Sequence, residues 1–214
     1  MTFGIVTGLT AEARIAAKLG LAVAGGGTPA GATEAAKLLV AEGVTALISF
    51  GVAGGLNPAL PPGTIIIPAR LITENRTYIT NEALTASLGG PCHTLLAGTQ
   101  VVATVTEKAA LYRRTLADAV DLESGAVAAV ALRNKLPFAA IRAIIDPATE
   151  PLPPAAMAAL NAVGAIAAGE LIGSILKHPG QIPALMRLAW HAGKAQDALR
   201  KHVKKLPKAR EAKE

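Results

Sequence analysis

Short runs of apolar residues alternate along this chain with longer segments in which apolar residues recur every three or four positions. The short runs predict strands at residues 3–6, 46–50, 64–68, 101–105 and 138–145. The longer segments predict helices at residues 10–19, 34–41, 108–114, 124–134, 154–177 and 182–206. Strands that alternate with helices in this way are typical of an α/β fold built in layers.

The size and charge of the chain predict one large domain followed by a basic segment. Half of the 214 residues are hydrophobic but only 3% are aromatic, so the core is expected to consist of small and aliphatic side chains. Residues 171–214 hold ten lysines and arginines against three acids, whereas the preceding residues hold eleven against twelve. We therefore predict a folded domain at residues 1–177 and a basic amphipathic helix and tail at residues 178–214.

The composition argues against several classes of protein. Aromatic residues that stack on bases are nearly absent, so no nucleic-acid partner is expected. No uncharged apolar stretch reaches the roughly 20 residues that span a bilayer, and no signal peptide is expected before the first strand. The single cysteine, Cys92, cannot form an internal disulfide, which fits a reducing cytoplasm.

Three acidic residues follow or flank predicted strands, where α/β folds place their sites. Glu12 lies in the first turn of a helix, Glu123 directly precedes another helix, and Asp146 closes the last predicted strand. Each has a structural alternative: Glu12 and Glu123 would favour a helix N-terminus, and Asp146 would form a turn before Pro147. For Glu123 that alternative is weaker, because Asp121 would already serve the helix.

Known cofactor motifs do not occur in the sequence. The segment Gly51-Val52-Ala53-Gly54-Gly55 would let backbone approach a ligand closely. It is not a dinucleotide fingerprint, and no Walker lysine or Gly-x-Ser-x-Gly elbow is found. The four histidines and Cys92 show no metal-ligand spacing, so neither a metal nor a cofactor is expected. The adjacent Cys92 and His93 predict a loop pair rather than a catalytic dyad.

Four motifs in this order and spacing resemble the purine nucleoside phosphorylase and nucleosidase superfamily. They are GIVTGLTAE at residues 4–12, FGVAGGL at 50–56, VDLESGAVA at 120–128 and IRAIID at 141–146. The strongest likeness is to methylthioadenosine/S-adenosylhomocysteine nucleosidases and to hopanoid-associated phosphorylases, over about residues 1–175. The resemblance implies a three-layer α/β/α fold with a central mixed, twisted sheet, and makes residues 1–177 the catalytic domain of a homo-oligomeric enzyme.

The resemblance also implies a role for each acid. Asp146 matches the acid that protonates N7 of the leaving purine, Glu123 the glutamate that binds the ribose hydroxyls, and Glu12 the glutamate that activates water. Oxocarbenium-like glycoside chemistry needs such a pairing of a protonated and an ionised carboxyl group. The remaining residues that match substrate-binding positions are Val52, Gly54, Val101, Val102, Leu122 and Arg142.

The nucleophile stays open between water and phosphate. No arginine occurs in the sequence beside residues 51–55, and phosphate-using members of the family supply arginines there, so hydrolysis is favoured. Arg14 is a candidate phosphate ligand. The segment at residues 19–27 is shorter than in typical nucleosidases, which suggests that a strand pair is absent.

The predicted helix at residues 182–206 bears on the substrate. Leu185, Leu188, Ala195, Leu199 and Val203 fall on one stripe of it, with basic residues and His191 largely off the stripe. Such a helix packs either on the protein or on an anionic membrane. The hopanoid-associated likeness implies adenosylhopane, a 5′-lipid-linked adenosine, as substrate for a cytoplasmic enzyme at the inner face of the membrane. The alternatives are a small 5′-substituted nucleoside and, in another class, a catalytically silent nucleoside-binding module.

Overall fold

The computed structural model describes residues 2–161, 177 and 179–206, and its centre is a sheet of nine strands. The strands are β1 Phe3–Thr7, β2 Leu21–Ala24, β3 Ala46–Gly55, β4 Ile65–Ile66, β5 Pro68–Ile72, β6 Thr77–Ile79, β7 His93–Ala97, β8 Ala119–Asp121 and β9 Phe138–Asp146. The helices are α1 Thr10–Ala16, α2 Pro29–Ala41, α3 Glu82–Ser87, α4 Val105–Thr115, α5 Ser124–Arg133, α6 Pro154–Asn161 and α7 Ile182–Lys205.

The sheet is mixed, and β3 is its longest strand. The strand order is β2-β1-β3-β8-β7-β5-β6, while β9 pairs with both β3 and β4. β3 runs parallel to β1 and β9, but its last two residues, Gly54 and Gly55, pair antiparallel with β8. Consequently the end of β3 lies between the ends of β8 and β9, and residues of three strands meet there.

Alternate residues of the central strands pack against helices on opposite faces of the sheet. Val6 of β1 joins a core with α2 and α5, whereas its neighbour Ile5 joins a core with α1, α3 and α7. The same alternation separates Leu47 from Ile48 in β3. These two cores make three layers, which confirms the predicted α/β/α fold with a mixed sheet.

The strand predicted at residues 101–105 is wrong. Residues 101–103 form a loop, and α4 begins at Val105 after Thr104, whose side chain accepts a hydrogen bond from the Glu107 backbone N–H. The Glu107 carboxylate accepts one from the Thr104 backbone N–H in return. This reciprocal cap starts a helix despite the β-branched residues, which by themselves favour a strand. The strand of this region lies earlier, at His93–Ala97, where none was predicted.

Several other bounds differ from those predicted. Residues 21–24 form an edge strand that the sequence did not indicate. The second helix begins at Pro29, five residues before its predicted start, because Thr28 caps it and proline suits the first helical position. Of the helix predicted at residues 154–177, Pro154–Asn161 is helical, and residues 162–176 lie outside the described part of the chain.

The apolar stripe of α7 packs on the sheet rather than facing outward. Ala195, Leu199 and Val203 are buried in the core that contains α1 and α3. His191 is buried as well, with 7% of its surface exposed, so its predicted position off the stripe is wrong. A second set of apolar residues on α7, Ile182, Met186 and Trp190, is exposed. None of the helices in the described ranges is both long and apolar enough to cross a bilayer.

Candidate active site

Arg142 of β9 lies at the centre of a buried cluster of charges. Its guanidinium Nη2 pairs with Asp121 Oδ2 at 2.5 Å and with Glu123 Oε2 at 3.1 Å. The same nitrogen donates hydrogen bonds to the hydroxyl of Ser49 at 2.6 Å and to that of Ser124 at 3.1 Å. Because the guanidinium is almost wholly buried, these partners replace the water that it loses on folding.

Asp121 and Glu123 divide two tasks between them. The Ser124 backbone N–H and hydroxyl both donate to Asp121 Oδ2, at 3.1 and 2.6 Å, so Asp121 satisfies the start of α5. Glu123 precedes that helix but makes no side-chain cap. Its carboxylate is therefore available to Arg142 and to a ligand, as the sequence predicted from the presence of Asp121.

Glu12 is held by backbone from two separate segments. Its Oε2 accepts a hydrogen bond from the Leu9 N–H at 2.9 Å, and its Oε1 accepts one from the Val52 N–H at 3.0 Å. The first bond satisfies the start of α1, which is the structural alternative foreseen for this residue. The second fixes the carboxylate against the second half of β3, and Glu12 is 2% exposed.

Two glycines let these acids approach the backbone. A Cβ at Gly51 would lie 2.6 Å from Arg142 Nη1 and 2.8 Å from Glu12 Oε1. A Cβ at Gly8 would lie 3.0 Å from Glu123 Oε1 and 3.4 Å from Glu12 Oε2. The structure thus brings Glu12, Glu123 and Arg142 into one site, with Asp121 behind them.

Burial changes the protonation of the two glutamates. It raises the pKa of Glu12, although Arg142 and the backbone donors oppose the rise. Burial also raises the pKa of Glu123 to about 7, with Arg142 opposing and the neighbouring Asp121 and Glu12 adding to the rise. A carboxyl group that titrates near neutral pH is suited to proton transfer or to changing its charge during a reaction.

Asp146, the last residue of β9, occupies a separate position opposite Gly54, which lies three residues beyond Gly51 on β3. A Cβ at Gly54 would lie 3.3 Å from Asp146 Oδ1. Gly51 and Gly54 are about 10 Å apart along an extended strand, so Asp146 is separated from Glu12 along β3. Burial raises the pKa of Asp146 above its ordinary value, while Lys108 acts against the rise.

Lys108 is the residue of this site that the sequence did not reveal. It lies on α4, is fully buried, and pairs through Nζ with Asp146 Oδ2 at 2.5 Å. A single lysine in a helix with several exposed charged residues is usually solvated, and nothing local distinguishes it. Its spacing of three residues from Leu111, which packs on the core, is the weak signal available.

No arginine is close to residues 51–55 in the sequence, but the fold brings one close in space. Arg142 lies beside Gly51, because β9 pairs with β3 at this register. Arg14, the other candidate phosphate ligand, is exposed on α1. Arg142 is surrounded by three carboxylates, so its charge is already compensated.

The remaining predicted substrate-binding residues are half-buried. Val52 contributes its backbone N–H to Glu12, and Gly54 lies against Asp146. Leu122 lies between the acids of β8 and α5, and Val101 and Val102 lie in the loop before α4. The roles assigned to these residues stay predictions.

A small cleft connects Asp146 with α7. Its volume is about 50 Å³, and its lining includes Asp146, Glu150, Leu188 and His191. His191 lies near enough to Asp146 to act on its pKa in the lowering direction, as Lys108 does more strongly. The helix from the basic segment therefore forms one wall beside the acid of the site.

Comparison with known proteins gives one family and one fold. The family model of the phosphorylase superfamily matches residues 6–93 and 82–176. None of the curated proteins compared with this chain matches it. A 5′-methylthioadenosine/S-adenosylhomocysteine nucleosidase from Colwellia psychrerythraea, solved with adenine, is similar with a TM-score of 0.65 at 18% identity, over 83% of this chain and 95% of that chain.

Two further solved structures have the same architecture. Futalosine hydrolase of Helicobacter pylori gives a TM-score of 0.67 at 17% identity, over 96% of this chain and 98% of that one. The S-adenosylhomocysteine nucleosidase of Streptococcus pyogenes, in complex with 5-methylthiotubericidin, gives 0.66 at 16% identity, over 97% and 98%. At such identities the likeness is one of fold.

Proposed function

Since this chain belongs to the phosphorylase superfamily, we propose that it is an enzyme that cleaves the N-glycosidic bond of a 5′-substituted adenosine and releases adenine. The observation that carries the proposal is the arrangement of carboxyl groups. Glu12 and Glu123 meet beside Gly8, and Asp146 lies further along the same strand edge, beside Gly54. A nucleoside that spans this distance would have its sugar at the glutamates and its base at Asp146.

Asp146 is the proposed general acid. As the bond between C1′ and N9 breaks, its electron pair moves to the purine, and a proton from Asp146 to N7 neutralises the charge that develops there. The buried position of the carboxyl group favours its protonated form, which the step requires.

The two glutamates are proposed to act on the sugar. Loss of the base leaves positive charge on the ribose ring, and a nearby carboxylate stabilises that charge. Glu123 is assigned to the ribose hydroxyls. Glu12 is assigned as the base that activates water. The water oxygen bonds to C1′ while a water proton passes to the Glu12 carboxylate. The raised pKa of Glu12 brings this base towards neutral pH.

The charge of the site favours water over phosphate as the nucleophile. Arg142 is the arginine that pairs with this cluster, and it faces Asp121, Glu123 and Glu12. A phosphate dianion would meet more negative than positive charge there, and the electrostatic penalty would be large in a buried site. Phosphorolysis is the alternative that the assay below separates.

We assign adenosylhopane as the substrate, with ribosylhopane and adenine as products. The resemblance to hopanoid-associated phosphorylases supports this assignment. The alternative is a small substrate such as methylthioadenosine or S-adenosylhomocysteine, the compounds named for two of the similar structures. A purine nucleoside is the substrate in both cases, and the 5′ group distinguishes them.

The exposed side of α7 supports a membrane-contact proposal for a lipid-linked substrate. Ile182, Met186 and Trp190 are 42%, 69% and 59% exposed and recur every fourth residue, so they share one side of the helix. Lys194 Nζ lies 3.6 Å from the centre of the Trp190 ring. An apolar stripe with Trp and flanking basic residues suits the interface of an anionic bilayer.

Leu188 and His191, which line the Asp146 cleft, lie on the same turns of α7 as this exposed stripe. An enzyme held at a membrane by the stripe would present that cleft near the lipid. We therefore propose a cytoplasmic enzyme that binds peripherally at the inner face of the membrane. The proposal also includes that the enzyme forms a homo-oligomer and has no nucleic-acid partner.

Free adenine is the product to measure. The protein is incubated with methylthioadenosine, S-adenosylhomocysteine and adenosylhopane, each with and without inorganic phosphate. We expect adenine without phosphate, fastest from the lipid-linked substrate. Turnover that needs phosphate would establish phosphorolysis. Binding of a nucleoside without adenine release from any substrate would identify a silent binding module and overturn the proposed function.

A further inference from the structure

Lys108 reaches Asp146 from a different element and makes three hydrogen bonds there. Its Nζ donates to Asp146 Oδ2 at 2.5 Å, to the Pro147 carbonyl at 2.9 Å and to the Glu150 carbonyl at 2.8 Å. An ammonium has three N–H donors and no acceptor. The two carbonyls and the carboxylate oxygen therefore occupy every donor of a charged Lys108.

This arrangement distinguishes the two oxygens of Asp146. Oδ2 accepts a hydrogen bond from Lys108, so a Lys108 proton already lies between Oδ2 and Nζ. An acid proton on the same carboxyl group must then lie on the other oxygen, Oδ1. Oδ1 is the oxygen nearer to Gly54, at 3.3 Å from the Cβ position of that residue against 3.6 Å for Oδ2.

We propose that Lys108 is a positioning residue that acts through Asp146: as a buried ammonium it holds Oδ2 and thereby keeps the acid proton on Oδ1, where the leaving base is bound. The proposal rests on the proposed function for its chemistry. It adds a second action, because the same three bonds tie the loop after β9 to α4. The acid therefore keeps one orientation rather than rotating in its cleft.

The charge of Lys108 also limits how tightly Asp146 holds its proton. Burial disfavours the carboxylate, and a cation within hydrogen-bond distance favours it. Among the described residues, the other charged or titratable groups that line this cleft are His191 and Arg187 of α7 and Glu150 of the loop, with Arg187 and Glu150 paired at 3.6 Å. Removal of Lys108 alone therefore leaves the acid without its main counter-charge.

Replacement of Lys108 tests the proposal through the pH profile of adenine release. In Lys108→Met, kcat is expected to fall ~100-fold through loss of orientation, with KM little changed. The limb on which kcat/KM declines at high pH should move upward by about one pH unit or more, because the acid keeps its proton longer. Lys108→Arg should return that limb towards the wild-type pH. The exposed Lys37→Met, which removes the pair with Glu34, is the matched control.

A 7-methylated form of the same substrate separates positioning from general damage. Its base already carries the positive charge that protonation would supply, so Lys108→Met and the wild type should cleave it at similar rates. An equal loss on both substrates, or an unmoved high-pH limb in a folded Lys108→Met, would overturn the proposal.

Magnetic resonance of the wild-type protein gives a readout that needs neither turnover nor a variant. Lys108 Nζ should carry three protons, and the Asp146 carboxyl carbon should titrate with Lys108 still charged. A neutral amine at Lys108 below the pH at which Asp146 titrates would exclude the proposal. If the ammonium is present but no nucleoside is cleaved by the wild type, then the proposed function fails while the Lys108–Asp146 arrangement stands.

Discussion

Glu12 Oε1 accepts a 3.0 Å hydrogen bond from the backbone N–H of Val52, a residue forty positions further along the chain. The bond joins the first turn of α1 to the second half of the longest strand. Because the donor belongs to the backbone, it does not depend on the side chain at position 52.

Glu12→Gln tests the assignment of water as nucleophile. The amide oxygen can still accept one of the two backbone N–H groups, so the fold is expected to persist. It cannot accept a proton from water, and adenine release without phosphate should fall by ~100- to 10,000-fold. The exposed Glu34→Gln serves as control. Undiminished phosphate-independent release in Glu12→Gln would remove Glu12 from the mechanism.

Asp146→Asn should abolish most of the adenine release while leaving the protein folded. The amide oxygen still accepts from Lys108, but the amide N–H groups are too weakly acidic to transfer a proton to the base, so a loss of ~100-fold or more is expected. Circular dichroism and single-turnover assays provide the measurement. Asp197→Asn, which removes only the exposed pair with Arg200, controls for the change in charge. A comparable loss in the control would mean that the effect is not specific to Asp146.

Stability should depend on pH through Glu123. Its pKa is about 7 in the folded protein and 4.5 as the ordinary value, so between these two pH values the unfolded chain loses a proton that the folded protein keeps. Glu123 therefore contributes a growing destabilisation as pH rises from about 4.5 to 7, which persists above 7.

Glu123→Gln removes this titration in both states. The Tm of the variant minus that of the wild type should be a few degrees higher at pH 8 than at pH 5. For a protein of this size, each kcal/mol in the free energy of unfolding shifts the Tm by ~2–4 °C. Thermal unfolding at the two pH values measures it. An identical difference at both would show that Glu123 does not titrate differently on folding.

Membrane contact can be tested without removing α7. Truncation after Lys177 would also uncover the core residues that Ala195 and Leu199 cover, so point variants are preferable. Met186→Ser combined with Trp190→Ser should weaken sedimentation with anionic liposomes by about tenfold or more, because two large side chains lose their burial in lipid.

Leu132→Ser is the matched control for the membrane test. Leu132 is 52% exposed on α5, a helix that packs on the opposite face of the sheet from α7. Its liposome binding should equal that of the wild type. Equal binding by the Met186/Trp190 double variant would refute the membrane proposal while leaving the enzymatic one intact.

Signals confined to a few neighbouring residues predicted much of the fold correctly. The apolar runs at residues 46–50 and 138–145 lie within β3 and β9, and the helix predicted at residues 124–134 is α5. The four motifs indicated the superfamily, which the family model confirms. Local signals failed at residues 101–105. The β-branched residues there favoured a strand, but the Thr104–Glu107 cap starts helix α4 at Val105.

The sequence by itself determined the α/β layers and the family, and it singled out the acids Glu12, Glu123 and Asp146 as candidates, since each of these depends on a local pattern or a contiguous motif. The tertiary structure alone decided which charges pair. Strand register places Arg142 beside Gly51, and the packing of α4 buries Lys108 against Asp146, 38 residues away. The physical reason is that an ion pair depends on the distance between two side chains in space, which the folding of the whole chain sets and no local pattern records.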